Sequence, residues 1–183
     1  MAIERKLMTA AELFMMPDDG MEHELIRGEL RTMPPPGPRH EEIAAEILFR
    51  IGGHVRAHEL GRVYGGPGFI VEHDPDTVRA PDFVFIAAGR LPEGPSPERY
   101  TDLIPDLIAE VVSPGDSAAD VNEKMLLWLA AGVRVGLALY PRTRSVYVYR
   151  SPSDARLLGP DDVLDVADVI PGFSCRVSDF FPL

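Results

Sequence analysis

Apolar residues recur along the chain at helical, alternating and continuous spacings, and each spacing predicts a different element. Thr9-Ala10-Ala11-Glu12 is a capping-box pattern, a hydroxyl followed three residues later by a carboxylate. It predicts a short helix through Leu13, Phe14 and Met15, ended by the Pro17-Asp18-Asp19-Gly20 turn. His23 to Met33 predicts a hairpin turning near Arg27-Gly28. Pro34-Pro35-Pro36-Gly37-Pro38 suits neither a helix nor a central strand and reads as a stiff linker. From Arg39 to about Leu60, Ile43, Ile47, Leu48, Ile51 and Val55 recur at helix spacing, and Gly61 is the expected stop.

Val63 to Glu72 and Asp82 to Ile86 then predict two strands, joined by the turn-rich His73-Asp74-Pro75-Asp76-Thr77. Gly89 to Pro105 is proline-rich and predicts an irregular loop, while Leu107 to Val112 is the next strand. Ser117-Ala118-Ala119-Asp120 caps a second long helix whose apolar face is Val121, Met125, Trp128 and Leu129, with Gly132 as its end. Val135 to Tyr140 and Ser145 to Tyr149 predict two more strands around the turn at Pro141-Arg142-Thr143-Arg144. Short strands follow near Leu157, Val163 to Val166 and Phe173 to Val177, before a final turn that ends at Phe181. Helices interspersed with strands in this order predict an α/β or α+β domain with a mixed sheet.

One residue conflicts with this pattern. Glu110 stands in the run Leu107 to Val112, which is otherwise apolar. A buried carboxylate must be paired, protonated or bound to a metal, and such conflicts concentrate at functional sites. Asp82 opens the preceding strand, so if the two strands pair, both acids reach one edge of the sheet. Lys124 lies on the flank of the second helix, from where it can reach the sheet while its stem covers apolar surface. Two carboxylates and a lysine are the residue types that Mg²⁺-assisted phosphodiester hydrolysis uses. Structural roles compete with this one. Asp82 also reads as a turn residue, Glu110 as an ion-pair member, and Lys124 as the partner of Asp120 one turn earlier, each a lesser reading than the functional one. Glu24 and Glu29 also fit exposed hairpin positions. His40, at a helix start, reads as a surface cap or as a phosphate contact.

The chain is long enough for one domain with a proper core. Residues 1–38 are expected to form an N-terminal helix and hairpin extension, 39–150 the core, and 151–183 terminal strands and a turn. No apolar run approaches a membrane span, and Met1 to Lys6 lacks the apolar stretch of a secretion signal. A single cysteine, Cys175, excludes an internal disulfide and a cysteine-rich zinc site. These features together predict a cytoplasmic protein without membrane partners. The formal charge of −11 argues against a protein that coats nucleic acid through Lys and Arg. It argues less against a nuclease, whose cation site needs carboxylates and whose basic patch can be local.

The ordered set of motifs resembles the PD-(D/E)XK nuclease superfamily, and within it the restriction endonuclease family named for Uma (its second member). The resemblance runs through Pro17 to Gly20, Glu24 to Leu30, Pro38-Arg39-His40, Asp74 to Thr77 and Pro81-Asp82. It is most specific at Glu110-Val111-Val112-Ser113-Pro114, then Lys124 and Ala131-Gly132-Val133, and it closes at Pro171-Gly172-Phe173. It implies a restriction-endonuclease-like mixed central sheet flanked by helices, and a metal-dependent endonuclease that hydrolyses DNA. It implies Asp82, Glu110 and the Val111 carbonyl as ligands of Mg²⁺ or Mn²⁺, Lys124 assisting water attack, and Glu24 as an additional catalytic acid, with a weaker claim for Glu29. The superfamily's usual lysine position is Val112 here, so the resemblance implies that the lysine has moved to the helix. A homodimer fits the need to cut two strands. This chain departs from the family pattern at Trp128, at Val135-Gly136-Leu137 and at Tyr140-Pro141. A nuclease-fold module without catalysis and a hydrolase of small phosphodiesters are the alternatives.

Overall fold

The computed structural model describes residues 6–182. They form two compact units. The smaller gathers the described residues up to Pro35 with Pro67–Ala80 and Pro95–Leu103. The larger comprises Pro36–Gly66, Pro81–Gly94 and Ile104 onward.

In the smaller unit, Thr9 caps helix α1 (Ala10–Phe14) through the expected reciprocal bonds with Glu12. Strands β1 (Glu22–Ile26) and β2 (Glu29–Met33) form the expected hairpin. Arg27 and Gly28 both have positive φ, 51° and 77°, the geometry of a tight two-residue turn whose twist suits a hairpin. The unit's sheet has the order β2-β1-β5-β4, in which β4 (Phe69–Glu72) and β5 (Thr77–Arg79) form a second hairpin. Ala10, Leu13, Leu25 and Val78 make its small core.

The larger unit opens with α2 (Pro38–Ala57), where proline occupies the first turn, a position in which its missing N–H costs nothing. The helix ends at Ala57, earlier than the expected stop at Gly61, because Glu59 turns into the left-handed region at φ 51°. Its glycines do not break it. A Cβ on Gly52 would sit 3.2 Å from the Val63 side chain, so this glycine lets α2 approach β3 (Gly61–Tyr64) closely. Strands β6 (Phe83–Ala87) and β7 (Leu107–Val111) precede α3 (Ala118–Ala131). Then come β8 (Val135–Tyr140), β9 (Ser145–Ser151) and β10 (Asp154–Leu158). The small ribbon of β11 (Val163–Asp165) and β12 (Ser174–Arg176) closes the chain.

The main sheet has the order β10-β9-β8-β7-β6-β3. All its pairs are antiparallel except β7 with β8. A parallel pair needs a long crossover, and α3 supplies it. The faces of the sheet differ in chemistry. Phe83, Phe85, Leu107, Ala109, Val111, Leu137, Leu139, Val146 and Val148 point to one side and pack with Ile43, Ile47, Ile51 and Val55 of α2 and with the C-terminal Phe173, Phe180 and Phe181. The opposite side carries Ile108, Glu110, Gly136, Ala138, Tyr147 and Tyr149 and faces α3. There Met125 lies so close to Gly136 that a Cβ would come within 2.9 Å of its sulfur.

The single strand expected from Val63 to Glu72 is in fact two strands in two sheets. Gly65-Gly66-Pro67-Gly68 lies between them, with Gly66 at φ 67° and no amide hydrogen on Pro67, so ladder pairing cannot continue. The fold as a whole is the mixed, helix-flanked sheet with an N-terminal helix and hairpin that the sequence predicts.

Gly61 has φ 157°, and a Cβ there would lie 2.0 Å from the Ile86 carbonyl oxygen. Gly61→Ala is therefore expected to destabilise the larger unit by about 1–3 kcal/mol in urea unfolding; an unchanged midpoint would contradict this packing. Burial pushes the Cys175 thiol up to about 12, with Asp179 adding to the effect and Arg50 opposing it. Because the thiolate is the nucleophile, iodoacetamide at pH 8 should modify native Cys175 far more slowly than the urea-unfolded chain, and the native rate should climb only at strongly alkaline pH.

Candidate active site

Strand β7 is buried along its whole length, Glu110 included at 8% exposure. Its pairing with β6 places Phe83 opposite Ala109, Val84 opposite Ile108 and Phe85 opposite Leu107. Asp82 lies just before β6, and its carboxylate reaches the end of β7: its Oδ2 accepts a 2.6 Å hydrogen bond from the N–H of Val111, the residue after Glu110.

Lys124 completes the group. The capping box of Ser117 and Asp120 starts α3, which leaves Asp120 bonded to its own cap rather than to the lysine one turn later. Val121, Met125 and Trp128 anchor the helix. From its flank, Lys124 Nζ donates a 2.8 Å hydrogen bond to Glu110 Oε2. The pairing partner of Glu110 on the other side is Ala138 of β8, whose methyl side chain is too small to crowd the acid.

His40, in the first turn of α2, is a neighbour that sequence patterns do not reveal. Its Nε2 lies 3.3 Å from Asp82 Oδ2, and its side chain is only 13% exposed. It is therefore not an ordinary surface cap. The Asp82 carboxylate raises the imidazole above its usual range, burial opposes that shift, and Glu41 adds to it. The motif Pro38-Arg39-His40 was the available sign, but only the tertiary fold brings it to Pro81-Asp82.

Glu24 belongs to the smaller unit. It is not the exposed hairpin residue that alternation suggests, because β1 lies between β2 and β5 and Glu24 is 4% exposed. Arg79 pairs with its Oε2, and the Ala80 N–H donates to its Oε1 at 3.0 Å. Glu29 is exposed on β2, 3.9 Å from Arg31.

No group of three or more His, Cys, Asp or Glu side chains suited to a metal is assembled among the described residues. Asp82 and Glu110 are, by donor type, carboxylates of the kind a hard divalent cation takes. Mg²⁺ takes oxygen ligands and needs only one or two carboxylates, since water and substrate oxygens fill its other positions. Main-chain oxygen at Val111 is the adjacent donor by sequence.

Residues 10–178 match the model of the Uma2 family, described as "Putative restriction endonuclease". The chain belongs to this family. The crystal structure of a putative nuclease from Anabaena variabilis ATCC 29413 matches it with a TM-score of 0.81 at 24% identity, over 95% of this chain and 97% of that one. At that identity the likeness establishes the fold. Among curated proteins none matches. Uma2 membership supports a nuclease function, and no helix among the described residues is long and apolar enough to cross a membrane.

Lys124→Met in this Uma2 protein removes the cation paired with the buried Glu110 carboxylate. Removing one partner of a buried pair costs about 3 kcal/mol or more, so the variant should unfold at clearly lower urea. Adding Glu110→Gln should recover much of the loss. Strictly additive effects in the double-variant cycle would show that the two side chains are not coupled.

Proposed function

We propose that this chain is an endonuclease that hydrolyses DNA phosphodiester bonds with Mg²⁺ or Mn²⁺. Asp82, Glu110 and the Val111 carbonyl would hold the cation. The observation that carries the proposal is the buried Glu110 accepting from Lys124 of α3, with the Asp82 carboxylate bonded to the next backbone amide, that of Val111. When bound, the cation supplies polarisation of the scissile phosphate and a more acidic water.

The chain's own groups do the rest. The Val111 amide orients the Asp82 carboxylate, and His40 backs it. The Lys124 ammonium, held at Glu110, is placed to donate a hydrogen bond to the attacking water and to offset negative charge that builds on the phosphate. Its stem can lie along apolar surface while the ammonium reaches Glu110. Glu24 is assigned as an additional acid, its carboxylate ordered by Arg79 and the Ala80 amide. Two copies of the chain acting together would cut both strands of a duplex, and the cytoplasm is the compartment in which this chemistry would operate. The formal charge of −11 favours a second candidate, hydrolysis of a small phosphodiester that needs no extended basic surface.

Incubation with supercoiled, linear and single-stranded DNA, with RNA and with bis-p-nitrophenyl phosphate, in Mg²⁺ or Mn²⁺, tests both. Cleavage of DNA that EDTA stops and that Asp82→Ala and Glu110→Ala each abolish is the expected result. Mg²⁺ or Mn²⁺ should also raise the melting temperature of the wild type but not of Glu110→Ala. Cleavage that persists in both variants would sink the assignment, and turnover of the small diester alone would establish the second candidate.

A further inference from the structure

From Glu110 the sheet register runs outward across three more strands. Glu110 pairs with Ala138, Ala138 with Tyr147, and Tyr147 with Leu157. Opposed residues share a face, so Tyr147 stands on the Glu110 side of the sheet, two strands away, at roughly 10 Å by the usual strand spacing. Only the methyl group of Ala138 lies between them in that row.

Tyr147 is not alone. The Tyr140 ring meets it edge to face at a centroid distance of 5.6 Å, and the Tyr149 ring lies tilted at 6.2 Å. Tyr149 is buried, whereas Tyr140 and Tyr147 are partly exposed. The inner ring thus braces the outer pair, and the exposed Leu157 extends the apolar strip. Because β7 and β8 run parallel, Tyr140 at the end of β8 lies at the same end of the sheet as Glu110 and Val111. The turn after Tyr140 carries the exposed Arg142.

We propose that Tyr140 and Tyr147 form a stacking platform for an unpaired nucleobase, so that the preferred substrate is single-stranded or locally opened DNA. This rests on the nuclease function proposed above. Aromatic faces accept any base and supply binding that does not depend on neutralising phosphates. A chain with 29 acidic and 18 basic side chains has few cations to offer phosphates, so stacking is the interaction its composition leaves available. A paired base has both faces covered by its neighbours in the duplex and must leave the stack to reach such a platform.

The test follows the fluorescence of 2-aminopurine in a single-stranded oligonucleotide, with Ca²⁺ present so that binding is observed apart from cleavage. Wild-type protein should bind it and quench the fluorophore. Tyr147→Leu should weaken binding about tenfold and lose most of the quenching, while Tyr147→Phe, which keeps the ring, should retain both. Tyr140→Leu repeats the measurement at a second, partly exposed position. Binding and quenching unaltered in the Leu variants would overturn the platform, as would wild-type binding without quenching. Cleavage of duplex DNA by a protein that does not bind the single strand would overturn the platform and leave the nuclease standing. Quenching on the single strand with no cleavage of any nucleic acid would do the reverse.

Discussion

The larger unit depends on one electrostatic constraint, a carboxylate held inside a fully buried strand. Glu110 occupies the fourth position of β7, where every residue is shielded from water. Leaving a charge there without compensation would cost more than most single interactions return. The ammonium of Lys124 at 2.8 Å meets that cost, and it can do so only if α3 lies at a fixed height over the sheet. That height is set by packing. Met125 rests on Gly136, and Val121 and Trp128 are buried beside it. The same helix is the crossover that makes β7 and β8 parallel neighbours. Polar chemistry and topology are therefore fixed by one element.

Strand register carries equal weight. Side chains alternate across a sheet, so a slip of one residue in β7 would send Glu110 itself to the other face. The apolar face guards against that slip. Phe83, Phe85, Leu107, Ala109 and Val111 meet the isoleucines of α2 on the far side, and shifting either strand would turn that set outward. The core packed against α2 thus keeps the end of β7, where the Asp82 carboxylate bonds the Val111 N–H, in register. The cation paired with Glu110 comes from α3 and not from the strand. Val112 lies past the end of β7, its N–H bonded to the Leu139 carbonyl, and the lysine comes to Glu110 from above the same face.

Much of this was legible in the chain because it rests on local signals. Glu110 among apolar residues, the Ser117 capping box and the Arg27-Gly28 turn each declare themselves within a few residues. What escaped notice is non-local. Nothing near Glu24 in sequence announces that β5 will pair on the far side of β1 and bury it against Arg79. The contact of His40 with Asp82 joins residues 42 positions apart through tertiary packing. The strand expected from Val63 to Glu72 failed for a different reason. Apolar content outweighed three glycines and a proline whose backbone cannot sustain a ladder. The three tyrosines were visible as a β-pattern, but their place on the same face of the sheet as Glu110 follows only from the order β9-β8-β7.

The acidity of the chain and its nuclease family are reconciled by distance. A charge at the surface is screened over about 8 Å at physiological ionic strength, so on the proposed reading most of the net −11 would act weakly on a strand bound at the α3 face. What such a substrate would meet there is local: the Lys124 ammonium, an exposed arginine at the β8–β9 turn, partly exposed aromatic rings and carboxylates whose charge a divalent cation would offset. Those carboxylates would repel an anionic substrate without the cation and much less with it. On that reading cation and nucleic acid would support each other's binding, and the excess of acid would become a condition on when the site can be occupied rather than an objection.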